Sequence, residues 1–240
     1  MGTLLSVDWD FFFPVPSWVD DNQFLYDWGH REDMQFMKQG IWGMRASTFL
    51  SHGLELPGTS GEENSFWKRF RIYSSTDLYV ADSHKFITYS PLTQHHYDQV
   101  ISYDAHHDSG YDNPIPKFKF SCEDWTHYFM DKGIPVKVVY PKWKEKYAFV
   151  DEELETPIQL LERTIDRGES PQQNISAVFL CRSGAWSPSW LDKKFFSFMN
   201  DFPGGRRYVM ENIMEREFSI EASKNINAQI EEMRRVNGIK

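Results

Sequence analysis

Cysteine is scarce in this chain. Cys122 and Cys181 are its two cysteines and stand far apart. That excludes a disulfide framework and suits a reducing compartment. No apolar run approaches the roughly 20 residues that span a bilayer, so no membrane partner is expected. The opening MGTLLSVDWD lacks a basic region and reaches an acid at Asp8. It is not read as a secretory signal, and the expected location is cytoplasmic. Basic charge is also lacking: the net charge is −9, which argues against a nucleic-acid partner. Linkers, low-complexity blocks and internal repeats are absent too, so residues 1–240 are expected to form a single α/β domain.

Apolar residues make up 40% of the chain and aromatics 16%, ample for a large core. The most informative stretch is VISYDAHHDSGYD, Val100 to Asp112. Val100, Ile101 and Tyr103 read as a strand that runs into Asp104, His106, His107 and Asp108 before breaking at Ser109 and Gly110. Acids and imidazoles so close to a core strand need compensation, because buried unpaired charge is strongly disfavoured. A divalent cation provides it. Residues two apart on a strand share a side, roughly 6–7 Å from each other. Asp104 and His106 therefore face one way, and Asp108 joins them if the chain curls. Mixed oxygen and nitrogen donors suit Mn, Fe or Zn better than Ca. The bland reading is a polar loop that caps a turn.

Other segments supply matching groups. Thr3–Val7 is a strand candidate ending in Asp8, Trp9 and Asp10. Leu78–Ala81 is another, ending in Asp82, Ser83 and His84. Pro135–Tyr140 ends without a polar cluster, and Ile175–Cys181 runs into Arg182 and Ser183. His95 and His96 precede a strand and rank below His84 and His106 as ligands. Helices are expected over Met34–Leu50, Ser65–Tyr73 and Cys122–Lys132, the last with Ser121 as its cap and Gly133 as its stop. Thr156 and Pro157 are read as opening a helix through Ile158, Leu161 and Ile165. Ser189–Phe202 and a C-terminal helix at about 215–236 complete the set. Ser17–Asp33 reads as a long loop over a site. Alternating strands and helices imply a three-layer αβα fold with a mainly parallel sheet. In such sheets the ligand site lies beyond the carboxyl ends of the strands, where four of the five candidates place their polar clusters.

YDAHHD resembles the DAHxD signature of the arginase, agmatinase and histone-deacetylase-like superfamily. ADSH resembles the segment whose His is a metal ligand in ureohydrolases, and SVDWDFF resembles the SxDxD segment that donates further aspartates. The resemblance implies an arginase-like fold with a divalent metal, one or two per chain. Manganese is expected first, with zinc or iron as alternatives. It implies that Asp104 and Asp8 bridge two metals, that His84 and Asp108 complete one shell, and that His106 and Asp10 complete the other. Ureohydrolases carry DxD after DAHxD, whereas here DWD comes first. That order is closer to the peptide arginases, which convert arginine to ornithine within a peptide.

The resulting expectation is a metal-dependent C–N hydrolase acting on a guanidinium in a small molecule or a peptide. Asp104 and His106 lie at its catalytic centre. His127 is a candidate acid/base, set against a partly buried helical histidine. Arg182 and Ser183 are candidates for substrate binding, with a structural ion pair the equal alternative for Arg182. A non-catalytic metal- or partner-binding scaffold and a two-metal phosphoesterase are the rival classes. A homo-oligomer is left open.

Overall fold

The computed structural model describes residues 2–14, 35–110, 120–145, 158–169 and 174–236. The loop expected at Ser17–Asp33 and the helix start expected at Thr156 and Pro157 lie outside them. The chain falls into two compact units. The first is Met1–Pro14, Thr59–Ser183 and Phe195–Ile213; the second is Val15–Gly58, Gly184–Lys194 and Met214–Lys240.

Among the described residues, seven strands form the first unit's sheet. They are β1 (Thr3–Asp8), β2 (Asp77–Ala81), β3 (Gln99–Tyr103), β4 (Val136–Tyr140), β5 (Leu161–Ile165), β6 (Ile175–Cys181) and β7 (Arg207–Val209). The order is β5-β4-β3-β1-β6-β2-β7 and every pairing is parallel. With helices and short 3-10 turns around the sheet, this is the expected α/β class. Parallel strands buried on both faces need apolar side chains on both, and β1 is buried throughout. Leu5, Val7, Leu78, Val80, Val178 and Leu180 pack on one face, together with Trp9, Phe12, Phe66, Phe195 and Phe198. Leu4, Tyr79, Val100, Val138, Ala177 and Phe179 pack on the other, with Trp125 and Phe129.

Five strand expectations meet five strands of the sheet; β5 and β7 are additions to them. Leu161–Ile165 is a correction, because helical spacing of Ile158, Leu161 and Ile165 points to a helix. These residues instead pair with β4, Val136 opposite Leu161 through Tyr140 opposite Ile165. On an edge strand the partly buried pattern of LERTI is as compatible with pairing as with a helix, and tertiary pairing decides. The helix expected over Cys122–Lys132 contracts to α2 (Thr126–Met130). The Ser121 hydroxyl accepts from Glu123 N at 3.2 Å, and Gly133 leaves the helix at φ +76°. The helix expected at Ser65–Tyr73 is a 3-10 turn, Phe66–Arg69.

The second unit is built on α1 (Gln35–Ser51) and α4 (Ile220–Val236), which pack together. The helix α3 (Asp192–Asn200) begins here and continues into the first unit. Arg216 is buried and clamps the second unit: its Nε donates to Asp192 Oδ2 at 2.9 Å and its Nη2 to the Ser187 carbonyl at 2.9 Å. Among the described residues no helix is long and apolar enough to cross a membrane.

Candidate metal centre

Three strand ends meet at the carboxyl edge of the first unit's sheet. Because β1 lies between β3 and β6, Asp8 and Asp104 leave the sheet side by side. Beyond Asp8 the chain turns through Trp9–Phe12, and Asp8 Oδ1 caps that turn by accepting from Asp10 N at 3.1 Å. Trp9, Phe11 and Phe12 are buried in the aromatic cluster below, so FFF anchors a turn that carries acids. Asp10 Oδ1 then accepts from Ala105 N at 3.2 Å, tying the first segment to the loop after β3.

That loop curls, which is the condition for Asp108 to join Asp104 and His106. Asp104 Oδ1 accepts from His106 N at 2.8 Å. Asp108 adopts φ +47°, an uncommon conformation for a residue other than glycine. Its backbone carbonyl accepts from the Thr126 hydroxyl at 2.6 Å, and its Oδ2 from Trp125 Nε1 at 2.7 Å. His107 Nδ1 accepts from Ser109 N at 2.9 Å.

The six residues expected as ligands come together. His84 Nδ1 lies 2.9 Å from Asp8 Oδ2, 3.4 Å from Asp104 Oδ2 and 3.3 Å from Asp108 Oδ2. His106 Nδ1 lies 2.9 Å from Asp10 Oδ2 and 3.8 Å from Asp104 Oδ1. Three groups can each hold a cation, with ligand atoms within 4.8 Å of one another: His84 with Asp104 and Asp108, Asp10 with Asp104 and His106, and Asp8 with His84 and Cys181. Burial differs along the cluster. The His84 side chain is 1% exposed and that of His106 33%, so the His106 end is the more exposed.

Electrostatics make the cluster unstable as a bare set of charges. Burial, reinforced by Asp108, Asp10 and Asp8, pushes the Asp104 carboxyl well above the usual range. Burial and the Asp10 charge raise Asp8 to about 6, against the pull of His84 and Ser183. Burial works against charging His84, yet the oxygens of Asp108 and Asp8 outweigh it and lift the imidazole to about 10. For Asp10, burial is outweighed by His106 and the carboxyl is lowered. His84 Nδ1 and Asp104 Oδ2 are buried and make no aligned hydrogen bond. Four carboxylates converging on two imidazoles, with polar atoms unsatisfied, fit a divalent cation in the protons' place.

The remaining site expectations fall differently. His127 Nε2 lies 2.8 Å from the Ser109 carbonyl and belongs to none of the three groups among the described residues. Arg182 is buried and its Nε donates to Asp82 Oδ1 at 2.6 Å, so an ion pair accounts for it. Ser183, at φ +49°, donates its hydroxyl to Asp8 Oδ2. Four contributors escape a reading of the sequence alone: Ser6, Cys181, Trp125 and Lys144. Cys181 is the register partner of Asp8, which becomes visible only once β6 is known to neighbour β1.

Fold and site together define a parallel α/β protein with a buried carboxylate–imidazole cluster whose residues could hold a metal ion. No family model matches the chain, nor does any curated protein or solved structure.

Proposed function

We propose that the protein is a metal-dependent hydrolase of C–N bonds with an arginase-like centre, acting on a guanidinium in a small molecule or peptide. The observation that carries the reading is the placement of DWD. β1 pairs with β3 and sets Asp8 against His84 and Asp10 against His106, at 2.9 Å each. The order of the segments along the chain differs from that of ureohydrolases, but adjacency in the sheet supplies the two carboxylates that the end of β6 lacks.

His84, Asp104, Asp108 and Asp8 would hold one cation, and His106, Asp10, Asp104 and Asp8 the other, with manganese the first candidate. Bound there, divalent cations would supply Lewis acidity, lowering the pKa of water and polarising an electrophilic carbon. The protein's residues set the rest. The buried His84 end excludes solvent, whereas the exposed edge of His106 admits a substrate. The acidic cluster favours a cationic group. Asp108, with a side chain 13% exposed, is the most accessible of the four carboxylates and is placed to carry a proton from water to the leaving nitrogen.

The test is metal content of protein purified without chelator, followed by a urea assay on arginine and arginine-containing peptides with Mn(II). About two metals per chain and urea release support the reading. No bound metal after reconstitution overturns it. Bound metal with turnover of a phosphodiester and none of guanidines moves the protein to the phosphoesterases.

A further inference from the structure

We infer that Cys181 is a metal ligand, and that its thiol biases the cation position it shares with Asp8 and His84 toward thiophilic divalent ions such as Zn(II), Co(II) or Fe(II). The inference rests on the metal-centre reading above and extends it to a donor which that reading does not use.

Strand register carries the argument. Asp8 pairs with Cys181 across β1 and β6, and Cys181 pairs with Ala81 across β6 and β2. Cys181 is therefore set between the strand that carries Asp8 and the strand that leads into His84. Its sulfur joins Asp8 and His84 in one of the three convergent groups. Cys181 is fully buried, and its Sγ lies 3.2 Å from the Ser183 hydroxyl, which itself donates to Asp8. A second observation points to a ligand at the same place. His84 is 1% exposed, and its Nδ1 lacks an aligned hydrogen bond while facing the carboxylates.

A buried cysteine can also serve as a small apolar side chain. Packing alone gives no reason for sulfur beside Asp8 and His84, where Ala or Val would fill the strand face as Ala81 and Ala177 do. Thiolate and imidazole select Zn, Fe and related ions over the harder Mn and Mg, which prefer oxygen. On ligation the S–H bond is exchanged for a sulfur–metal bond, and the proton leaves to solvent. The outer group, Asp10 with Asp104 and His106, has only oxygen and nitrogen donors. The two positions then differ in softness, and a mixed pair of ions is the expected occupancy.

The experiment is Co(II) titration of the metal-free full chain, followed by near-ultraviolet absorption. A sulfur-to-cobalt charge-transfer band is expected in the unmodified protein. It should vanish in Cys181→Ala and in Cys181→Ser, two variants chosen so that misfolding of one does not decide the result. It should persist in Cys122→Ser, which removes the chain's other thiol, and in His106→Ala, which alters only the outer group. Competition between Zn(II) and Mn(II) should show the Zn preference falling about 10–100-fold in the Cys181 variants. Co(II) binding without the band, or a band unchanged in both variants, overturns the inference and leaves the metal centre standing. Failure to bind Co(II), Zn(II) and Mn(II) at all overturns the metal-centre reading itself.

Discussion

The Ser6 hydroxyl lies 2.8 Å from Nε2 of His84, although Ser6 is on β1, His84 comes after β2, and β6 runs between them. The imidazole is also stacked on Trp125, with ring centroids 4.7 Å apart and planes 18° from parallel. One edge and one face are thus fixed, and Nδ1 is left to meet the carboxylates. Outer partners that orient a ligating histidine are commonly worth about 10–100-fold in metal affinity. Ser6→Ala is expected to lose metal affinity in that range while its metal-free melting temperature changes little. Calorimetric titration checks this, and an unchanged affinity would show that Trp125 alone orients the ring.

Asp104 belongs to two of the three groups that could hold an ion and is 1% exposed. Burial and three neighbouring acids push its carboxyl upward, which favours the protonated form that an amide imitates. Asp104→Asn should leave the metal-free fold at least as stable as before. It should also abolish turnover and remove the stabilisation that added metal gives, about 2.7 kcal/mol when the ion is at 100 times its dissociation constant. Paired melting curves with and without Mn(II) measure this. A variant that keeps its metal response and full turnover would remove Asp104 from the centre.

The acids and imidazoles of the site are legible in the sequence because DWD, ADSH and DAHHD each come after a run that reads as a strand. A parallel sheet collects the residues just past its strands along one edge, and so local motifs predict a common location. Residues such as Ser6, Trp125 and Lys144 are not legible, since their roles depend on which strands and turns become neighbours. Ser6 matters because His84 reaches back over β6. Arg182 reads equally as a substrate-binding group or a structural ion pair, and its partner Asp82, on the adjacent strand end, is visible only in the fold. β5 reads as a helix because Ile158, Leu161 and Ile165 fit a helix period as well as an edge strand, and only the pairing with β4 separates the two.

The pH response of the metal-free protein should run opposite to that of most acidic proteins. Asp8 is raised from 3.8 to about 6. The stability it contributes is therefore complete below 3.8 and is lost as pH rises through 6. His84 is raised from 6.5 to about 10, so its contribution is complete below 6.5 and is lost as pH rises through 10. Asp10 is lowered and acts below 3.8, outside both windows. Urea denaturation in chelator should give midpoints that fall in two steps across these windows. Metal affinity should rise across the same pH range, because binding displaces those protons. A chelated protein whose midpoint climbs between pH 3.8 and 6 would contradict the assigned charge states.

The end of β4 carries no ligand, yet the turn after it grips two of the three ligand-bearing segments. Trp143 Nε1 donates to the Phe11 carbonyl at 2.9 Å, just beyond Asp8 and Asp10. Lys144 is buried and donates its ammonium to the Ala105 carbonyl, between Asp104 and His106. Since Ala105 N is held by Asp10, that residue is fixed at both its carbonyl and its amide. Lys144→Met keeps the length of the stem and removes the donor, leaving a buried carbonyl unpaired at a cost of about 1–3 kcal/mol. The expected result is a modest loss of stability with a larger loss of metal affinity, about 10–100-fold, partly restored in Lys144→Arg. Affinity that falls only in proportion to stability, with no recovery by arginine, would reduce the turn to a packing element.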